Sequence, residues 1–496
     1  MKTRQQGILP YRIEVVPNGD GLTSHAGLPL VSETMRALGL EQIVADQLHL
    51  QQRNNGLTDY QKLESIVLLL AAGGDCYDDM RVLRADEGLQ RLIGYGLPSP
   101  DGVRAFCNAF HDSNLIDQAR TRRAPGTTAF IPDESESLKA LGRVNVALCH
   151  CLAARGNGCR ATLDHDATII ESHKQAALPH YKGGRGFQPA AMYWAEQDVV
   201  IADEYRDGNV PAAMGNLPLI RHAFASLPPS ITQYFFRADS ACYDQRVLRW
   251  LVDEHRIDGP QGAIGFTISA DMTRELHELC CAVPHERWLL VDDQRADETV
   301  HCAELEFTPG DWPKDAGPLR YVAVRIKKRQ GLLFASGCEQ KFLAVVSNRY
   351  DKTSVDLLRW HWEKAGTIEH IHDVSKNELG AGTPPSSHFG ANAAWYRLCL
   401  ITYNVLSAMN RSGRSEAQST EVHEHGRSPR AVQALALPAN LSSARPKKLR
   451  FALFNLAGKI ASHAGDLILR VTQAAERLVN LVEARARLLA LVPART

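Results

Sequence analysis

Leu163-Asp164-His165-Asp166-Ala167-Thr168-Ile169-Ile170, together with Ile231-Thr232-Gln233-Tyr234-Phe235-Phe236-Arg237-Ala238-Asp239-Ser240, decides the fold of this chain. The first run carries its acids after an apolar approach and reads as a strand over 163–170; the second reads as a strand over 231–238 that stops at Asp239. Between them, residues 187–205, broken at Glu196-Gln197-Asp198, read as a hairpin, and 211–227 as a helix. A further helix is predicted over 244–255, with Val247, Leu248 and Leu251 along one side.

Strand, hairpin, helix, strand, helix is the order of a ribonuclease-H-like fold. In that order the first strand lies beside the later one, which brings Asp166 and Asp239 together. A third carboxylate stands far downstream in Gly366-Thr367-Ile368-Glu369-His370-Ile371-His372-Asp373-Val374-Ser375-Lys376, where Glu369 and Lys376, seven apart, share one helix face. Such a face offers a carboxylate to a metal and an ammonium to a phosphate. Triples of acids are common in a chain with 56 of them, so their placement on two strand ends and a helix carries the inference toward a metal-dependent nuclease. Side chains alternate along a strand, so Asp164 shares the face of Asp166 and is an alternative ligand. His165, His370 and His372 lie near this site, with satisfied polar or DNA contacts expected for them in preference to metal.

The remaining text frames this core. With 496 residues, 44% of them hydrophobic and 23% charged, the chain can bury a large core split into several domains. No apolar run reaches the ~20 residues of a membrane span, and the start leads into no signal-like apolar stretch, so a cytoplasmic protein is expected. Residues 1–130 are expected to be mainly helical and to contact DNA, with a short strand at 11–16, helical periodicity at 28–48 and 59–72, and a stop and cap at 98–101. A helix from Pro132-Asp133-Glu134 then presents Leu138, Leu141, Leu148 and Leu152. The core is expected over 131–258 and 341–412, interrupted at 259–340 by a mostly β insertion whose text alternates, as in Arg320-Tyr321-Val322-Ala323-Val324-Arg325-Ile326. Residues 342–347 read as the final core strand, and 412–443 as a polar linker. The formal net charge is zero, but from Leu441 onward ten Lys and Arg face three Asp and Glu, which favours phosphate contact by the C-terminal region, 413–496. A leucine-rich helix over 466–491 is expected to close the chain.

These segments resemble the DDE-class insertion-sequence transposases of bacteria, group 1, around insertion-sequence family 1380. The residues that carry the likeness are Asp164 to Thr168, Tyr181-Lys182-Gly183-Gly184-Arg185-Gly186-Phe187-Gln188-Pro189, Arg237 to Ser240, and Thr367-Ile368-Glu369 with Lys376. The related signature is Tyr, two residues, Arg, three residues, Glu, six residues, Lys; Glu369 and Lys376 fit it, while Trp362 stands at the Tyr position and Ala365 at the Arg position. Lys364 next door can restore the charge but not the planar guanidinium fork. The resemblance implies Asp166, Asp239 and Glu369 as catalytic ligands of two Mg²⁺ ions, with Mn²⁺ able to substitute. It implies phosphate contacts from Lys376 and Lys364, and from Lys182 and Arg185 in the glycine-rich loop; the basic tail adds Lys447, Lys448 and Arg450. The implied partner is double-stranded DNA, at the element's inverted-repeat ends and at the target, bound by a homodimer. A nuclease of the same fold without strand transfer, or a catalytically silent DNA-binding relative, would share most of these residues.

Overall fold

Arg160–Ala167 (β1) is buried along most of its length, on both faces, as befits a strand with neighbours on each side and helices above and below. The computed structural model describes residues 21–51, 56–156, 158–329, 333–410, 437–472 and 475–490. They divide into two compact units, one of residues 109–377 and 381–407, the other of 1–108, 378–380 and 408–496. The expected strand at 11–16 and most of the expected linker at 412–443 lie outside the described residues.

In the larger unit β1 pairs antiparallel with Ala190–Trp194 (β2), which returns through a 3-10 turn at Ala195–Gln197 into Val199–Glu204 (β3). On its other side β1 runs parallel to Gln233–Ala238 (β4), which is parallel in turn to Ile264–Ala270 (β5). In the order β3-β2-β1-β4-β5 the hairpin and the parallel pair β1-β4 stand as the sequence predicts, while the next place beside β4 is taken by β5, from the region read as an insertion, and not by 342–347. Helices pack around it: Glu136–Ala153 (α1), Asn216–Ala225 (α2) and Gln245–Val252 (α3). Ser135 caps α1 by accepting from the Leu138 N–H, and Asp244 caps α3 by accepting from Arg246 and Val247. Both hydroxyl and carboxylate caps leave the chain extended just before the helix, so each predicted start moves inward by a residue or a few.

The region expected as a separate insertion instead widens the same sheet. β5 already belongs beside β4, and Gln340–Ser347 lies antiparallel against it, followed outward by Arg320–Lys328, Glu298–Leu305 and Leu289–Asp292, so that the sheet has nine strands. In chain order these four are β6 (Leu289–Asp292), β7 (Glu298–Leu305), β8 (Arg320–Lys328) and β9 (Gln340–Ser347). Without β9 the edge of β5 would present unpaired N–H and C=O groups; pairing removes that liability. Val300, Cys302, Val322, Val324 and Val345 form one face of this extension and bury Leu357, Leu358 and Trp360 of Ser354–Trp362 (α4). Helix Ile368–Glu378 (α5) follows, then Phe389–Asn410 (α6). Asn404 of α6 and Asn145 of α1 close a buried polar knot on β3, with the Val200 N–H donating to Asn404 at 2.8 Å and both amides donating to the Val200 carbonyl. No polar group is stranded there, so the knot specifies how helices and sheet register.

The smaller unit joins both ends of the chain. Gly39, at φ +75°, divides the predicted helix of 28–48 into Pro29–Ala37 and Leu40–Gln47. Asp59–Ala72 starts on a reciprocal cap between Thr58 and Gln61. The expected C-terminal helix is shorter than read: Gly458–His463 and Asp466–Val471 form a hairpin, and only Ala475–Ala490 is helical. The turn explains the difference, since Ala464 and Gly465 both take positive φ, which a tight hairpin requires and a helix forbids. No described helix is long and apolar enough to cross a membrane.

Candidate active site

Parallel pairing sets Asp164 opposite Arg237 and His165 opposite Ala238, so Asp166 and Asp239 emerge at neighbouring strand ends. Asp239 also caps the turn Ser240–Cys242, accepting from the Ala241 N–H at 3.1 Å. Burial raises the pKa of Asp166, with Lys364 opposing; burial and then the Asp166 charge raise that of Asp239. Two mutually repelling, largely desolvated carboxylates are what a site built for a cation requires.

Helix α5 faces this pair. His372 Nε2 lies 3.8 Å from Asp166 Oδ2, and Lys364, buried in the 3-10 turn Glu363–Gly366, places Nζ 4.0 Å from Asp166 Oδ1. Lys376 donates to Thr168 Oγ1 at 2.8 Å, just past the end of β1. Its pKa is lowered by burial, with Asp373 opposing and Lys182, exposed on the glycine-rich loop, adding to the depression. Burial, then Lys376 and Lys364, lowers the His372 pKa to about 3, against a smaller pull from the Asp166 backbone. Among the described residues neither ring nitrogen of His372 has a hydrogen-bond partner, so of the two contacts expected for it, polar or DNA, the first is not formed there. His165 faces the other way, with Nδ1 3.3 Å from Cys242 Sγ.

Asp164 does not share the role foreseen for it. Its side chain is fully buried and gripped by the Arg237 fork, Nε to Oδ1 at 2.6 Å and Nη2 to Oδ2 at 2.9 Å, while Thr367 Oγ1 donates to Oδ2 at 2.5 Å. The remaining Arg237 nitrogen donates to the Trp360 carbonyl and to Glu363. Alternation did put Asp164 and Asp166 on one side of β1; the register then set an arginine against Asp164, and both of its oxygens are engaged, in three hydrogen bonds. Lys364, expected at a phosphate, is instead buried against the acids.

Glu369 is exposed and makes no hydrogen bond or ion pair among the described residues. Ligand atoms of Asp166, Asp239 and Glu369 are not all within 4.8 Å of one another; among the described residues only Asp75, Cys76 and Asp79 form such a trio. The structure therefore joins two of the three predicted carboxylates and leaves the third on the facing helix. Arg185 is exposed and donates to the Gln175 carbonyl at 3.1 Å. Sequence reading missed Arg237 and Thr367 as the partners of Asp164. The spacing from Glu369 to His372, three residues and hence one helical turn, was the available signal for His372.

In the smaller unit Lys447 and Lys448 are exposed, but Arg450 is not a free phosphate contact. It donates to the Ala71 and Leu70 carbonyls at 2.8 and 2.9 Å, and to the Glu378 carbonyl. Those first two oxygens lie in the last turn of Asp59–Ala72, where intrahelical donors run out. Arg450→Ala is accordingly expected to cost about 2 kcal/mol of stability and leave the salt dependence of DNA binding unchanged. Replacing Lys447 and Lys448 by Ala should instead leave the melting temperature near wild type and flatten log affinity against log salt by about one unit per lost contact. Thermal melts and binding isotherms at several salt concentrations separate the two.

A wide mixed sheet with helices on it, whose neighbouring parallel strands end on paired buried acids, defines an α/β protein with an acidic centre faced by Lys364 and Lys376. Residues 7–424 match the family model described as "Transposase DDE domain group 1", and the chain belongs to that family of transposases. Among solved structures it is similar to the "Cryo-EM structure of piggyBac transposase synaptic complex with hairpin DNA (SNHP)", at 9% identity and a TM-score of 0.40, over 95% of this chain and 85% of that one. No curated protein matches the chain.

Proposed function

We propose that the chain is a DNA transposase of the insertion-sequence type, which cuts at the ends of its own element and joins the freed 3′ hydroxyl to target DNA. The observation that supports this most is the pair Asp166 and Asp239 on adjacent parallel strand ends, desolvated, with the Asp166 charge acting on Asp239 and Lys364 as their shared counter-charge. The donor set fits a hard divalent cation such as Mg²⁺ or Mn²⁺, which prefers carboxylate oxygens and keeps several waters. Asp166 and Asp239 would hold it, with Glu369 reaching in from α5. When bound, such ions supply Lewis acidity at the attacking and departing oxygens of an in-line displacement. Lys376, tethered to Thr168, and Lys182 on its loop hold the phosphate beside the acids. Lys364 neutralises part of the acidic charge, so the pair tolerates the approach of an anionic backbone. DNA in duplex form, bound by two copies of the chain, is the substrate this reading implies.

The test is cleavage of a labelled duplex carrying the element's terminal repeat. Cutting should appear with Mg²⁺ or Mn²⁺, survive a zinc-selective chelator and vanish in EDTA. Full cleavage in excess EDTA would refute the metal-dependent reading. Cutting without joining to a target duplex would instead favour a nuclease of the same fold, and binding without cutting a silent relative.

A further inference from the structure

The geometry points to His372 as a direct nitrogen ligand to the divalent ion, paired with Asp166 at 3.8 Å; the ligand atoms of Asp166, Asp239 and His372 are not all within 4.8 Å of one another, so Asp239 and Glu369 would close on the ion as it binds. This rests on the metal-dependent reading above and adds to it a ligand of a different chemical class.

His372 is buried, with 6% of its side chain exposed, and among the described residues neither ring nitrogen is hydrogen-bonded. Buried polar groups are nearly always paired; among the described residues the Asp166 backbone draws on this imidazole without a formed hydrogen bond, so a bound cation is the partner that would complete it. The ring is aimed correctly for one: Nε2 is 3.8 Å from Asp166 Oδ2. Two donors each about 2.1 Å from one ion are about 3 Å apart when adjacent and about 4.2 Å apart when opposed. The observed separation falls between these limits, so one ion can bridge the two with little movement. The charged neighbours on the other sides, Lys364 and Lys376, can only donate, and neither donates to His372. Position on the helix agrees, since His372 stands one turn after Glu369 and one turn before Lys376, on the face that looks at the strand ends. A neutral imidazole is a common metal ligand, and its presence raises affinity for Mn²⁺ and Co²⁺ relative to Mg²⁺.

Pulsed electron paramagnetic resonance on the full chain loaded with Mn²⁺ tests this without any reaction. The wild-type protein should show ¹⁴N modulation from a bound imidazole, changing to ¹⁵N when histidine is ¹⁵N-labelled. His372→Ala should abolish that modulation and weaken Mn²⁺ binding by at least the 10–100-fold lost when an outer-shell partner is removed, roughly speaking; His370→Ala should change neither. The labelled wild-type spectrum stands even if the variant fails to fold, and His372→Gln provides a closer isostere. Mn²⁺ that binds and is lost in Asp239→Asn, yet shows no histidine nitrogen, overturns this inference and leaves the carboxylate site intact. Mn²⁺ that binds no more tightly to wild type than to Asp239→Asn overturns the carboxylate reading along with it.

Discussion

Asp239→Asn and Asp166→Asn should each reduce element-end cleavage by more than about a thousandfold, equivalent to roughly 4 kcal/mol of transition-state stabilisation, while end binding stays close to wild type. Each change keeps the shape of the side chain and removes the charge that would hold a cation. A second effect should accompany the loss and runs the other way. Both carboxylates have folded-state pKa values raised above their unfolded ones, so they favour the fold when protonated, at low pH. That contribution disappears as pH rises through the raised values, and at neutral pH the ionised pair opposes folding. The asparagine variants should therefore melt higher than the metal-free wild type at pH 7, with the difference shrinking toward pH 4. Gel-resolved cleavage together with melting curves measures both, and normal cleavage by either variant would remove that residue from the centre. Activity lost with stability gained is the signature of a site whose strain serves chemistry.

The strand order was readable because each core strand carries its own apolar run and its own stop, and because β1 and β4 both end on acids. Register followed, and with it the neighbourhood of Asp166 and Asp239. What periodicity could not convey was partnership across the sheet: Asp164 and Asp166 look equivalent along the strand, and only the arginine in register with one of them distinguishes the two. The β character of 259–340 was legible but not its continuity with the core sheet, and 342–347, read as the final core strand, lies one strand further out, beside β5, since alternation reports a pleated surface and not which edge it joins. At 466–471, Leu467, Ile468 and Leu469 suit a helix face as well as a strand, and the decision fell to the positive φ angles of Ala464 and Gly465. Arg450 looked like part of a basic cluster because charge is visible in sequence and a helix end in need of a donor is not. His372 was passed over for the opposite reason. A histidine usually finds a hydrogen bond in a folded core, and only its lack of one here singles it out.

The buried pair Arg237–Asp164 provides the sharpest separation of scaffold from chemistry. Asp164→Ala leaves a guanidinium with 2% of its side chain exposed and its main counter-charge gone, and breaking one side of such a pair costs about 3–5 kcal/mol. The loss should be larger than for any exposed ion pair of this chain, which is worth ~0–1 kcal/mol. The consequence reaches the helices opposite β1, because Arg237 also holds the Trp360 carbonyl and Glu363, and Asp164 accepts from Thr367, the residue just before α5. Replacing both partners together, Asp164→Leu with Arg237→Met, removes the uncompensated charge, so it should destabilise less than Asp164→Ala alone. Chemical denaturation of the three proteins gives the comparison directly. A double variant as unstable as the single one would show that the network's hydrogen bonds to the 360–367 segment, not the charge pair, carry the stability. A stable Asp164→Asn protein that has lost Mn²⁺ affinity would make Asp164 a ligand after all; one that melts early but binds Mn²⁺ below its transition keeps it in the scaffold, where the arginine fork already occupies both of its oxygens.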